Sequence, residues 1–264
     1  MVFSMATKVL VVTHKEYPMP DKDIYFPMCV GVGIDKLKDQ YQPDNEGVHI
    51  SDKNGTYSEL TALYWAWKNL NCDILGLVHY RRHLTINKGA KKLEDAIDGE
   101  QVEQILSGAD AIVSKRRIYV ETVKGHYINC ERGQRQKARR RLEILSEVIK
   151  EQTPEYSKYF DKVMRGFKAH MFNIFIMKKH HADAYCKWLF DILFEAERRI
   201  DAEGVNYSRG MGELSEFLLD VWLQCNDLKC YDADMIVYGY SFWAKTKFVV
   251  GRRLFGKAEN RKKK

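Results

Sequence analysis

The chain has 264 residues, 45% hydrophobic and 12% aromatic, enough for one large α/β domain with a full core. No apolar run reaches the roughly 18 residues of a membrane span, and MVFSMATK lacks the regions of a signal peptide, so a cytoplasmic protein is expected. Cys29, Cys72, Cys130, Cys186, Cys225 and Cys230 form no C-x-x-C pair, which argues against a zinc site and for reduced thiols.

Lys8–Thr13, KVLVVT, reads as a short strand ending in His14 and Lys15. Residues 16–57 read as loops, with strand-like pieces at 28–32 and 48–50. Asn54-Gly55 marks a turn, and Thr56-x-x-Glu59 matches a capping box. Leu60, Leu63, Tyr64 and Trp67 then fall on one helical face. Ile74–Val78 reads as a strand buried on both faces, followed directly by His79, Tyr80, Arg81, Arg82 and His83. Ligands of open α/β sheets bind beyond the carboxyl ends of the strands. Two arginines and two histidines there suit an anionic ligand, most simply a diphosphate, because Arg offers a planar fork of donors. The alternative is a solvated basic turn. Thr13, His14 and Lys15, at the end of the first strand, suit a base, ribose or phosphate contact by the same rule, or again a solvated turn.

Further along, 92–106 reads as a helix interrupted at Gly99, 110–114 as a strand and 135–152 as a charged helix with Leu142, Leu145 and Ile149 inward. Met171–Met177 reads as a strong strand. Asn173 within it must be hydrogen-bonded, either fixing a neighbouring loop or lining an acceptor site. Helices are expected at 182–200 and 214–225, separated by the Gly-hinged run 204–212. This alternation predicts a three-layer α/β domain with a mostly parallel central sheet.

SELTALYWAWKN followed by GLVHYRRH resembles the signature of DUF4422, a family of bacterial glycosyltransferase-like domains of capsule, exopolysaccharide and lipopolysaccharide gene clusters. The resemblance continues through KVLVVTHKEYPMP, HMFNIFIMKK and YCKWLFDILFEAE, and covers roughly residues 7–240. It implies a single GT-A-like domain over 7–240. It also implies transfer of a hexose, with galactose in pyranose or furanose form as the leading candidate. The donor would be a UDP-sugar and the acceptor a lipid-linked or growing cell-surface polysaccharide. A non-catalytic nucleotide-sugar or glycan-binding module on the same fold is the alternative.

Residue roles follow from the resemblance. Donor binding would fall to Thr13, His14, Lys15, Asn54, His79, Tyr80, Arg81, Arg82 and His83, with Arg209 closing over the diphosphate. Many GT-A enzymes hold a divalent metal with Asp-x-Asp at the end of a central strand; His79-Tyr80-Arg81 stands there in this chain. The favoured reading is that Arg81 and Arg82 partly replace the metal electrostatically and no cofactor is required. Mn²⁺ or Mg²⁺ held by His79 or His83 with a distant carboxylate is the alternative. Asp232-x-Asp234 has the spacing of a metal motif but precedes an apolar run, so it reads as a weak metal candidate or a turn cap. An inverting transferase needs a carboxylate base. Glu216 is the first candidate, from a similar Leu-Ser/Ala-Glu step in the family, and Glu213 the second; both also suit the first turn of a helix. Glu59 is either a capping-box partner or, with Asn173, an acceptor contact.

The formal charge is +7, and it lies almost wholly at one end. Residues 241–264 hold nine Lys or Arg and one acid, interleaved with Phe242, Trp243, Phe248, Val249, Val250, Leu254 and Phe255. The other 34 bases and 35 acids nearly cancel. The segment reads as a basic amphipathic tail that lies on an anionic membrane, making the protein peripheral on the inner face of the bacterial plasma membrane. A helix packed on the domain is the alternative. No nucleic-acid motif is present, so a nucleic-acid partner is not expected.

Overall fold

A computed structural model describes residues 5–131, 133–206 and 208–239. The amphipathic tail expected at 241–264 lies outside the described residues. The elements run β1 (Thr7–Thr13), β2 (Tyr25–Cys29), α1 (Ile34–Leu37), β3 (Gln42–Pro43), α2 (Asn54–Tyr57), α3 (Leu60–Asn69), β4 (Ile74–His79), β5 (Arg82–Thr85), α4 (Gly99–Leu106) and β6 (Ala111–Ser114). They continue through β7 (Arg117–Ile118), α5 (Val123–Cys130), α6 (Arg135–Gln152), α7 (Pro154–Arg165), β8 (Lys168–Ala169), β9 (Phe175–Lys178), α8 (Lys179–Ala202), α9 (Gly210–Cys225) and β10 (Cys230–Val237).

Eight strands form one sheet, and β7 with β8 form a separate two-stranded ribbon. In the main sheet β1 lies between β2 and β4, parallel to both. β9 runs antiparallel between β4 and β6. β10 is parallel to β6 and antiparallel to β5, and β5 returns to the end of β4 where His79 pairs with Arg82. The sheet is therefore mixed, with as many antiparallel pairings as parallel ones, and not mostly parallel as the alternation predicts. Two features cause this. Tyr80-Arg81 makes a two-residue turn that folds the basic run back as β5, and β9 enters the sheet reversed between β4 and β6.

Both faces of the sheet are covered, so its strands read as continuous apolar runs whatever their direction. Leu10, Val12, Leu75, Leu77, Val113 and Met177 face a layer built from α3 and α5 to α9. Val9, Val11, Ile74, Val78, Ile112 and Ile176 face a thinner layer built on α4. Gly76 is required where β1 and β9 close on β4: a Cβ there would stand 2.8 Å from Ile176 Cγ1 and 3.1 Å from the Phe175 carbonyl oxygen.

Helix ends follow their local chemistry. Asp98 and Gln101 form a reciprocal capping box at the start of α4, which is why the helix begins at Gly99 and not at residue 92. Pro154 occupies the first turn of α7. The capping box expected at Thr56 and Glu59 is absent. Ser58 turns to φ +52° between α2 and α3, the Thr56 hydroxyl donates to the Lys53 carbonyl, and Glu59 is left to point elsewhere.

Candidate active site

β4 and β6 both oppose β9, so β1, β4 and β6 run the same way and end at one edge of the sheet. That edge collects the residues after Thr13, the turn after His79, and the loop 170–174 that leads into β9. α2, the start of α3 and the N-terminus of α9 pack above it. Gly212 allows the last of these contacts, since a Cβ there would lie 3.1 Å from the Tyr57 carbonyl oxygen.

Cations and aromatic rings line one side of this edge. The Arg81 guanidinium carbon lies 5.2 Å from the ring centres of both Tyr17 and Tyr80. Lys15 Nζ lies 5.7 and 5.6 Å from the same two rings, and His14 meets Tyr80 edge-on at 5.5 Å. Arg82 stacks over the Phe172 ring at 4.0 Å. Partial burial, then the charges of Lys15, Arg81 and Arg209, push the His14 pKa down. These rings hold the cations against their faces.

Behind the cations lies a buried polar network. The Asn173 amide donates to Glu59 Oε1 at 2.8 Å, and the Ser215 hydroxyl donates to Asn173 Oδ1 at 3.1 Å and to the Gly212 carbonyl at 2.7 Å. His79 Nε2 lies 2.7 Å from the Phe172 carbonyl and 3.6 Å from Glu59 Oε1. Burial lowers the His79 pKa, opposed chiefly by Glu59. Nε2 donates its proton to the Phe172 carbonyl, which can only accept. Phe172 and Asn173 sit at φ +71° and +53°, so 171–174 is a left-handed loop and not the strand the apolar run predicts. Asn tolerates that conformation; Phe does so only under tertiary compulsion. Asn173→Ala should destabilise the fold by about 1–3 kcal/mol for each group left unpaired. Urea unfolding would measure it, and Asn173→Gly, which relieves the backbone, should recover only part of the loss.

The carboxylates stand at the first turns of α9. Arg209 enters the helix at φ +65°, its N–H donating to the Gly55 carbonyl at 2.7 Å. Glu216 lies one turn in, and burial together with Glu59 and Glu213 raises its pKa from 4.5 to about 8, against the opposing pull of Arg209 and Arg82. A carboxyl group with a proton affinity near neutrality, facing two arginines, is suited to proton transfer.

The structure thus brings His14, Lys15, Tyr80, Arg81, Arg82, Arg209, Glu213 and Glu216 to one cleft, with His79, Glu59 and Asn173 forming its floor. Tyr17 and Ser215 join them without having been singled out by sequence. The only signal for Tyr17 was an aromatic two residues past the basic strand end. Thr13 and Asn54 are engaged in local hydrogen bonds. The Lys15 N–H donates to Thr13 Oγ1 at 3.1 Å, and the Asn54 amide donates to the Ser58 carbonyl at 2.9 Å and to Thr61 Oγ1 at 3.0 Å. The metal candidates do not converge. His79 Nε2 is committed to a carbonyl, Asp232 lies 3.4 Å from His170 Nε2, and Asp234 accepts from Lys115 at 2.6 Å within β10. Among the described residues no three His, Cys, Asp or Glu side chains form a metal-binding group.

His83 lies apart from the cleft. It is fully buried within β5, edge-on to Tyr25, and burial lowers its pKa to about 4. The folded ring stays neutral down to about 4, whereas an unfolded histidine takes up its proton near the ordinary value. The stability contributed by the neutral ring is present above about 6.5 and is lost as pH falls towards 4. His83→Leu should flatten the acid loss of stability by about 2–3 kcal/mol relative to the parent, as read by urea midpoints between pH 7 and 4.

The fold can be compared with known proteins. A solved structure described as the WbbM bifunctional glycosyltransferase in its apo form superposes with a TM-score of 0.73 at 23% identity, over 89% of this chain and 46% of that one. The likeness is one of fold, and this chain spans about half the length of that structure. No curated protein matches. The family model described as a domain of unknown function, DUF4422, matches residues 8–227, and the chain belongs to that family.

Proposed function

We propose that the protein is a nucleotide-sugar-dependent glycosyltransferase on a GT-A-like fold. It would transfer a hexose, with galactose in pyranose or furanose form as first candidate, from a UDP-sugar to a lipid-linked or growing surface polysaccharide. The observation that carries this reading is the meeting of Lys15, Arg81, Arg82 and Arg209 with the raised carboxyl of Glu216 at the carboxyl edge of β1 and β4. Membership of the DUF4422 family and the likeness in fold to the WbbM glycosyltransferase support it.

In this mechanism the acceptor hydroxyl oxygen attacks the anomeric carbon, the bond from that carbon to the diphosphate breaks, and its electron pair leaves with UDP. Arg81, Arg82 and Arg209 meet the charge that develops on the diphosphate. The hydroxyl proton passes to Glu216. His79 holds the 172–173 loop through its bond to the Phe172 carbonyl. Because arginines stand at the place of the Asp-x-Asp motif, turnover should persist in excess EDTA. A complete loss that Mn²⁺ or Mg²⁺ restores would assign the charge to a metal instead.

One observation favours a non-catalytic binding module as the second reading. A carboxyl with a pKa of about 8 is mostly protonated at pH 7 and would donate a hydrogen bond to a sugar. A UDP-sugar panel separates the two by thermal shift and by release of free UDP. A transferase binds and releases, a module only binds, and a protein that does neither removes both readings.

A further inference from the structure

Away from the cleft, three of the eight large hydrophobic side chains that the described residues expose belong to one small ribbon: Ile118 is 71% exposed, Val120 100% and Phe167 53%. The other five come from five separate segments. The ribbon starts three residues after β6 ends, on the same edge of the sheet as the cleft. β7 pairs antiparallel with β8, Ile118 opposite Lys168, and the Tyr119 N–H donates to the Phe167 carbonyl at 2.8 Å. Tyr119 is buried beneath it, so strand alternation turns Ile118 and Val120 outward.

Cations flank these apolar tips along the chain and across the ribbon. Arg117, Lys124 and Lys168 are exposed and form no ion pair among the described residues. The Arg117 guanidinium lies 5.3 Å from the Tyr119 ring. Lys124 is brought to the end of α7 by the Val123 N–H, which donates to the Gly166 carbonyl at 2.8 Å. Glu121 is the one acid among residues 115–124, and residues 165–170 contain none.

We propose that this ribbon docks the folded domain on an anionic bilayer, with Ile118, Val120 and Phe167 entering the interface and Arg117, Lys124 and Lys168 meeting the headgroups. Short apolar tips within a lysine and arginine collar match the composition of an interfacial segment. Protein interfaces instead are depleted of lysine and need about 800 Å² per partner, more than a ribbon of two-residue strands offers. The inference deepens the reading of a lipid-linked acceptor, because the ribbon and the cleft share one edge. It is also separate from residues 241–264.

The test uses the full chain and an Ile118→Asp/Val120→Asp variant, so that both carry the same residues 241–264. Partitioning is measured on phosphatidylglycerol and on phosphatidylcholine vesicles at an ionic strength of about 0.1 M, where screening leaves close contacts intact. The expected result is preference for phosphatidylglycerol, at least fivefold weaker partitioning of the variant, and vesicle-dependent hydrogen-exchange protection of 117–121 and 166–168. Equal partitioning of the two proteins, no preference for the anionic vesicles, no binding by either, or no protection of those peptides would overturn the proposal. UDP affinity is measured on the same samples. Its absence from the parent protein would count against the transferase reading and leave the vesicle result standing.

Discussion

Glu216→Gln should lose about 10²- to 10⁴-fold in turnover, the usual contribution of a positioned base, while binding UDP as the parent does. The amide keeps the shape of the carboxyl group and cannot accept the acceptor proton. The pH dependence gives a second reading of the same residue. With a pKa of about 8, Glu216 is protonated below that value and ionised above it. Turnover of the parent should therefore rise about tenfold per pH unit up to about 8 and then level off. The variant should be flat. Stability should move the other way. A carboxyl whose folded pKa is raised stays protonated after its unfolded counterpart has ionised, so the stability it contributes below the ordinary carboxylate range is lost as pH rises through about 8. Glu216→Gln escapes this and should melt at a higher temperature than the parent at pH 9, with little difference at pH 5. Such a gain in stability with a loss of activity is expected where like charges are gathered for function. Parent-like turnover in the variant would leave Glu216 as an acidic residue suited only to a helix N-terminus.

Arg81→Ala is the second large effect. A hydrogen bond to a charged partner contributes about 1.5–3 kcal/mol, and 1.4 kcal/mol is tenfold in affinity. UDP should bind about tenfold or more weakly, and UMP, with one phosphate fewer to reach, should lose less. Arg82→Ala should lose affinity too, but it also uncovers the Phe172 ring on which Arg82 stacks at 4.0 Å. Arg81 lies 5.2 Å from the Tyr17 and Tyr80 rings in the same way, so folding of both variants is checked by thermal melting before titration. Calorimetric titration of UDP into each folded variant measures both. An unchanged Arg81→Ala affinity would return the basic run to a solvated turn.

β1, β4 and β6 and the helices α6 and α8 are legible because their signals are local. Ile74–Val78 and the 3.6-residue periodicity of residues 135–152 and 182–200 needed no tertiary information. Strand direction was not legible, since a strand buried on both faces is apolar throughout in either sense. The basic run illustrates this: its alternation between cleft and core is invisible until the Tyr80-Arg81 turn pairs Arg82 with His79. That turn puts Arg82 over Phe172 and drops His83 into the core beside Tyr25. Asn173 was legible as a polar group needing partners. Its partners Glu59 and Ser215 lie 114 and 42 residues away in the chain, beyond any spacing rule. Thr56-x-x-Glu59 spells a local capping box, but Ser58, unremarkable in sequence, turns to φ +52° and releases Glu59 towards Asn173. Tyr17 and the exposed ribbon at 117–120 carry no periodic signal at all.

Release of UDP from a panel of UDP-hexoses, followed with lipid-linked acceptors and mass detection of the glycosylated product, tests the central claim most directly. The expected result is that the parent protein binds UDP, releases it from at least one UDP-hexose and adds one hexose mass to an acceptor, with Arg81→Ala weakened at the binding step and Glu216→Gln at turnover. A protein that neither binds UDP nor releases it from any member of the panel would contradict the assignment of this cleft to a nucleotide-sugar donor.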